Sequence, residues 1–136
     1  MKLSTNFDAE IVGLTTRLRE KIADYSQDRG AGSCQLHLVR ARSAAYSRLF
    51  VFHGSNQEGA LKVRLAVKVY NGLDQLSFAR QQFDALNLLW GDFSKLQRLR
   101  IPRPLDFWPE LPAIVMEEVR GCSVVHVLYI DRLQLR

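Results

Sequence analysis

The stretch LKVRLAVKVYNGLDQLSFARQQFDALNLL, residues 61–89, predicts a β-strand, a tight turn and an α-helix. Every second residue from Leu61 to Val69 is apolar, and this two-residue period is typical of a strand with one face in a core. Asn71 and Gly72 tolerate positive φ angles and therefore end the strand. We expect the rest of the domain to be organised around this strand and the helix that follows it.

The helix is predicted to end at Trp90, with Gly91 as the residue after its C-terminus. On a helical wheel its apolar residues cover an arc of roughly 160°. These residues are Leu76, Phe78, Ala79, Phe83, Leu86, Leu89 and Trp90. Gln82 falls inside the arc, where an unpaired amide would cost about 1–3 kcal/mol. We therefore expect Gln82 to have a partner, and Lys68, near the end of the strand, is the candidate inside a shared cleft.

Four motifs occur in a fixed order along the chain. They are LAVKVY at 65–70, ARQQFDALNLLW at 79–90, IPRPLDFW at 101–108 and AIVMEEVRG at 113–121. The first resembles the V-A-I-K strand of protein kinases. Together they resemble V-K, R-E-Y-x-A-L-x-x-L, V-P-x-P and V-M-E-x-x-x-G of the aminoglycoside phosphotransferase and choline kinase-like group. The resemblance covers roughly residues 34–125 of the chain.

The expected fold is α+β. Residue patterns predict five antiparallel strands, with the helix lying between the third and the fourth. An apolar residue at every third or fourth position predicts an N-terminal amphipathic helix with Phe7, Ile11, Leu14, Leu18, Ile22 and Tyr25 on one face. The resemblance implies a protein kinase-like N lobe at 31–121. We expect 1–30 to be the N-terminal helix and a linker, and 122–136 to begin the segment that leads to a missing C lobe.

The resemblance also implies a nucleotide site. Ala66 would lie against adenine and Lys68 would neutralise phosphate charge. Gln82 stands where the family has a helix Glu, so its hydrogen bond with Lys68 would lack the charge-assisted part. The remaining implied site residues are Ser43, Ala44 and Ser47 in the loop over the phosphates, and Met116, Glu117 and Val119 in the hinge beside adenine.

Each of these assignments has a plainer alternative in the residues themselves. The loop at 42–47 contains no glycine, and its residues fit an ordinary hairpin turn as well as a phosphate-binding loop. Met116 also fits a core position, and Glu117 and Glu118 fit solvated charges at a strand end. Lys68 alone would be a solvated strand lysine; its place after Ala66 and before the helix favours the nucleotide site.

The implied activity is transfer of the γ-phosphoryl group of MgATP to a hydroxyl of an amino-alcohol, aminoglycoside or sugar-like substrate. The base and the Mg²⁺ ligands would come from H-x-D-x-x-x-x-N and D-x-D or D-F-G motifs of a C lobe, which this sequence lacks. His126 and Asp131 receive no catalytic role. We therefore expect an ATP-binding lobe that is not catalytically complete; the alternative is a non-catalytic remnant or protein-interaction module with the same fold.

Composition narrows the partners and the compartment. The 136 residues carry a net charge of +5, but the 19 basic residues are spread along the chain, so nucleic acid is not the expected partner. A small basic cluster stands at Lys95, Arg98, Arg100 and Arg103. No signal pattern or membrane-spanning apolar run is evident, which predicts a cytoplasmic protein without a membrane partner. Cys34 and Cys122 are expected to be buried free thiols, and no Cys/His spacing indicates zinc.

Overall fold

Two helices and a five-stranded antiparallel sheet make up the described part of the chain. The computed structural model describes residues 5–25, 34–93, 95 and 101–119. The elements are α1 (Thr5–Tyr25), β1 (Gln35–Ser43), β2 (Ser47–Ser55), β3 (Leu61–Tyr70), α2 (Gln75–Phe93), β4 (Pro104–Trp108) and β5 (Ala113–Glu117). The predicted α+β class, the number of strands and the place of α2 are confirmed. The predicted linker, half of the basic cluster (Arg98 and Arg100) and the 122–136 segment lie outside the described residues.

The strand order in the sheet is β1-β2-β3-β5-β4. The first three strands follow one another through hairpins, as the sequence predicted. Helix α2 then separates β3 from β4, and the chain returns so that β5 pairs with β3 and β4 forms the edge. Strand β3 is therefore central, with Ala66 opposite Val51 of β2 on one side and Met116 of β5 on the other.

Both faces of β3 are covered, so the expectation of a strand with one core face is wrong. The predicted apolar face of β3 is confirmed, because Leu65, Val67 and Val69 lie in a cluster with residues of α1. Ala66 and Tyr70 belong to a second, smaller cluster that includes Ala79 of α2. Successive side chains of a strand point to opposite faces, so the two clusters lie on opposite sides of the sheet.

Helix α1 packs as its periodicity predicted. Its buried residues are Leu14, Leu18, Ile22 and Tyr25, with Phe7 and Ile11 packed against them. They contact the largest fully buried side chains of the sheet, which include Phe50 and Phe52. This cluster holds most of the buried apolar surface of the described residues, and burial of such surface is the main favourable contribution to folding.

Helix α2 buries less of its surface than the wheel predicted. Ala79 is fully buried, and Phe83 and Leu86 are partly buried against the smaller cluster. Phe78 and Gln82 are exposed, although both fall inside the predicted apolar arc. The sheet covers only the narrow stripe formed by Ala79, Phe83 and Leu86, which repeats at steps of four and three residues. The surface of a helix is curved, so residues farther round the predicted arc do not reach the sheet. The helix also continues to Phe93, so Gly91 is a helical residue and does not end it.

A partly buried carboxylate fastens α1 to the edge strand β4. Asp106 Oδ2 accepts hydrogen bonds from the Tyr25 hydroxyl at 2.6 Å, Lys21 Nζ at 3.2 Å and Trp108 Nε1 at 3.0 Å. Burial alone would raise the pKa of Asp106, but these bonds and one from the Phe107 N–H outweigh burial and lower it. Asp106 is therefore held ionised, and α1 is anchored at its C-terminal end.

A second polar contact anchors the other half of α1. The Arg48 guanidinium of β2 donates to both carboxylate oxygens of Glu10, with the shortest distance 2.6 Å from Arg48 Nη2 to Glu10 Oε1. The Arg48 Nη1 group also donates to Asn71 Oδ1, in the connection between β3 and α2. One arginine side chain thus joins α1, the sheet and the start of the α2 connection.

We expect Asp106→Asn to lower the free energy of unfolding by roughly 1–3 kcal/mol near pH 7, because charge-assisted hydrogen bonds are lost. The folded pKa of Asp106 is lowered, so this stabilisation is complete above the ordinary aspartate pKa of about 4 and disappears as the pH falls through the folded value. Urea unfolding from pH 7 to pH 3 should show the wild type approaching the variant. Asp84→Asn, at an exposed position of α2, is the control, and a gap independent of pH would contradict the assignment.

Replacing Gly54 or Gly13 by alanine is expected to change the stability in opposite directions. A Cβ at Gly54 would lie 2.5 Å from Val63 Cγ1, and the stiff β-branched side chain cannot move aside freely. Gly54→Ala should therefore destabilise by roughly 1–3 kcal/mol. A Cβ at Gly13 in α1 would meet no atom within 4 Å, so Gly13→Ala should stabilise by roughly 0.5–1 kcal/mol. Thermal and urea unfolding of both variants checks this, and effects of the same sign would be inconsistent with the packing.

Candidate functional site

Lys68 lies half-buried on the face of β3 that is directed toward α2. Its register partners are Leu49 of β2 and Ile114 of β5, both apolar. Burial lowers the pKa of the Lys68 ammonium, and no charged group of the described residues contributes to that shift. The ammonium lies 5.0 Å from the centroid of the Tyr70 ring, within the range of a cation–π interaction. The structure therefore presents a partly dehydrated cation that lacks a carboxylate partner within the described ranges.

The hydrogen-bond partner of Gln82 is Tyr70, so the predicted pairing of Gln82 with Lys68 is wrong. The Tyr70 hydroxyl donates to Gln82 Oε1 at 3.1 Å. Burial raises the pKa of this phenol to about 12, which keeps it protonated and able to donate. Tyr70 is the next residue on the same face of β3 after Lys68, and its longer side chain reaches α2. Its ring then occupies the space between the ammonium and the amide.

The residues predicted to contact adenine are brought together. Ala66 and Met116 are direct register partners on β3 and β5, and both are buried in the smaller cluster. This burial agrees with the alternative of Met116 as a core residue. Glu117 forms an ion pair with Arg103 at 3.7 Å, and its N–H donates to the Arg103 carbonyl oxygen. Val119 is partly exposed at the end of the described segment.

The predicted phosphate loop is a hairpin turn between β1 and β2. The Ala44 N–H donates to the Ser47 carbonyl oxygen at 2.8 Å, and Ser43 and Ala44 are exposed. Ser47 lies opposite Tyr70 in the register, so the turn stands at the same end of the sheet as Lys68. A hydrogen bond from the Asn71 N–H to the Tyr46 carbonyl oxygen joins the turn to the end of β3.

A cleft with a volume of about 540 Å³ opens between this turn, the end of β3 and the start of α2. Its lining residues are Tyr46, Tyr70, Asn71, Gly72, Leu73, Phe78 and Gln82. Of the predicted site residues only Gln82 is among them, so the cleft adjoins the Lys68 position and does not contain it. Sequence reasoning missed Tyr46 and Phe78; a tyrosine inside a run of small residues was the available signal for the first.

Glu118 is not a solvated strand-end charge. Its side chain is 16% exposed, and its Oε2 lies 2.6 Å from His53 Nε2 of β2. Arg40 of β1 approaches its Oε1 at 3.7 Å. The Glu118 N–H also donates to the Arg64 carbonyl oxygen at 3.2 Å. The described part of the hinge segment is thus tied to three neighbouring strands, which sequence reasoning missed because its partners are distant in the chain.

The described residues contain no group of three histidine, cysteine or acidic side chains placed to hold a metal ion. Among the helices that the structure describes, none has the length and apolar character needed to cross a bilayer. Cys34 is a free thiol, as predicted, but it is only partly buried where a buried thiol was expected; Cys122 lies outside the described residues.

No protein-family model matches this chain, and no curated protein has significant sequence similarity to it.

We expect the pKa of Lys68 to lie below the ordinary lysine value of about 10.4, because burial disfavours the ammonium form. A two-dimensional NMR titration of the Lys68 Cε–Hε signal measures this pKa, with Lys68→Arg used to assign the signal. The lowered pKa also means that stability should rise with pH between the folded pKa and the ordinary value, because the unfolded chain binds the proton more tightly there. A Lys68 pKa at or above the ordinary value would contradict this description of the site.

Proposed function

We propose that this domain binds the phosphates of a nucleoside triphosphate at Lys68, as the ATP-binding lobe of a small-molecule phosphotransferase. The observation that carries the proposal is the half-buried Lys68 ammonium without a carboxylate partner among the described residues, on the strand face that it shares with Ala66 and Met116. A dehydrated cation is destabilised unless an anion contacts it, and phosphate oxygens would supply that contact.

Residues near Lys68 offer contacts for both the base and the phosphates of a nucleoside triphosphate. Ala66 has a small side chain and lies beside Met116, but both are buried in the smaller cluster, so a planar base would contact them only at the edge of that cluster. Ser43, Ala44 and Ser47 stand at the Lys68 end of the sheet, where the two serine hydroxyls could donate to phosphate oxygens, while the Ala44 N–H is used within the turn. Glu117 and Val119 follow Met116 and would offer backbone groups to the edge of the base.

Tyr70 takes the positioning role that an acidic helix residue would have. Its ring contacts the Lys68 ammonium, and its hydroxyl is held by Gln82 of α2. The quadrupole of the Tyr70 ring attracts the Lys68 ammonium more weakly than a carboxylate would. The charge of the ammonium is therefore less fully compensated, and its attraction for phosphate is stronger. Gln82 would then act through Tyr70 and not by direct contact with Lys68.

In such a phosphotransferase the Mg²⁺ ligands and the catalytic base would come from a second lobe, which is not among the described residues. The described residues offer Lys68 for phosphate but no cluster of acidic side chains for the metal. Transfer to a hydroxyl substrate and a cytoplasmic location belong to the same proposal. This chain alone would bind nucleotide without completing phosphoryl transfer.

A second candidate is a non-catalytic protein-interaction module with the same fold. It is favoured by the apolar side chains that α2 and its preceding turn leave in solvent, with Leu73 92% exposed and Leu88 71% exposed. Apolar groups in such number on one element are typical of surfaces that contact another protein. Under this alternative Lys68 would have no ligand.

Calorimetric titration of MgATP into the purified chain tests the first proposal. We expect saturable binding that Lys68→Ala weakens about tenfold or more, because a phosphate loses its charge-assisted hydrogen bond. Lys62→Ala is the matched control, since it removes the same charge from an exposed position on the same strand. Binding should also raise the pKa of Lys68, because a nearby anion favours the ammonium form.

Absence of binding to the wild-type chain, or equal binding by wild type and Lys68→Ala, would overturn the assignment of Lys68. In the first case the interaction module becomes the better description. Retention of the fold in each variant is checked by circular dichroism and urea unfolding.

A further inference from the structure

The cleft beside Lys68 has the properties of a small-molecule site that is separate from the proposed phosphate position. Its volume of about 540 Å³ lies within the roughly 300–1,000 Å³ typical of such sites. Tyr46, Tyr70 and Phe78 contribute three aromatic rings to its lining. None of its lining residues is charged at neutral pH. The walls therefore fit an uncharged ligand with flat apolar faces.

The polar atoms of the cleft add a hydrogen-bond preference. Arginine can only donate, so its bond to Asn71 Oδ1 identifies that atom as the oxygen and leaves the Asn71 amide nitrogen as a donor. In the structure the Tyr70 hydroxyl donates to Gln82 Oε1, which leaves the Gln82 amide nitrogen as a donor. Both side-chain amides thus have an occupied oxygen and an NH₂ group that can serve a ligand.

We infer that this cleft binds a neutral, planar aromatic molecule that carries hydrogen-bond acceptors such as carbonyl or ring oxygens. The aromatic rings of Tyr46 and Phe78 contact its faces. The amide NH₂ groups of Asn71 and Gln82 select acceptor atoms at its edge. A ligand that offers only donors would leave these NH₂ groups unpaired and would therefore bind more weakly.

Tyr70 separates this ligand from the nucleotide proposed at Lys68. Its ring contacts the Lys68 ammonium, while the same residue lines the cleft. The inference does not depend on nucleotide binding, because none of the donors or rings that define the cleft is Lys68. Failure of one proposal therefore leaves the other standing.

Two probes of similar size test the hydrogen-bond preference. Coumarin is planar, neutral and carries only acceptors, whereas indole is planar, neutral and carries a donor. Binding is followed by changes in the side-chain amide NMR signals of Asn71 and Gln82 during titration with each compound. We expect saturable binding of coumarin and at least fivefold weaker binding of indole.

Variants locate the site. Phe78→Ala and Gln82→Leu should each weaken coumarin binding about tenfold, the first by removing a ring and the second by removing a donor. Both positions are exposed, with Phe78 55% exposed, so the fold should tolerate them. Leu88→Ala removes an exposed apolar side chain from the same helix outside the cleft and should leave binding unchanged. Lys68→Ala should also leave coumarin binding unchanged.

The inference is overturned if coumarin does not saturate, if indole binds equally well, or if Phe78→Ala has no effect. Competitive displacement of coumarin by MgATP that survives in Lys68→Ala would also overturn it, because the nucleotide itself would then occupy the cleft. If coumarin does not bind and a peptide that bears an aromatic side chain shifts the Asn71 and Gln82 signals, the inference is overturned and the cleft belongs to a protein partner.

Discussion

The central position of β3, with neighbours on both edges and apolar clusters on both faces, is the constraint on which the rest of the structure depends. A strand in this position must bury side chains on both of its faces, from odd-numbered and from even-numbered residues. Its odd-numbered residues are uniformly aliphatic and form the larger core with α1. Its even-numbered face is mixed, and there Ala66 and Tyr70 are buried while Lys68 lies between them. The partial dehydration of that lysine is a direct result of covering the second face.

The two helices contribute unequally to the fold. Helix α1 supplies a continuous apolar stripe to the larger core and is tied by Asp106 at one end and by Arg48 at the other. Helix α2 contacts the sheet through a narrow stripe that centres on Ala79, whose small side chain allows close approach. The residues on either side of that stripe curve away from the sheet. The cleft exists because α2 leaves Phe78 and Gln82 facing space that the sheet does not fill.

The chemistry of the site follows from which side chain reaches across that space. Tyr70 is long enough to join β3 to α2, so it takes the amide of Gln82 as its acceptor and offers its ring to Lys68. This arrangement leaves the ammonium without an opposite charge within the described residues and leaves two amide NH₂ groups in the cleft. The Lys68 ammonium favours an anionic ligand. The amide NH₂ groups of Asn71 and Gln82 are uncharged donors and favour a neutral acceptor. On this basis we propose two adjacent ligand positions.

The amino-acid sequence by itself determined the elements: the alternation in β3, the steps of three and four residues in α1, and the turn residues that separate the strands are local signals, and each was predicted from them. It also determined which face of β3 carries Ala66 and Lys68, because alternation fixes the parity of every side chain. Tertiary structure decided the rest. The pairing of β3 with β5, the choice of Tyr70 over Lys68 as the partner of Gln82, and the contact of His53 with Glu118 depend on residues far apart in the chain. Local periodicity carries no information about which of several polar side chains reaches across a cleft, because that depends on side-chain length and on the distance between elements after packing.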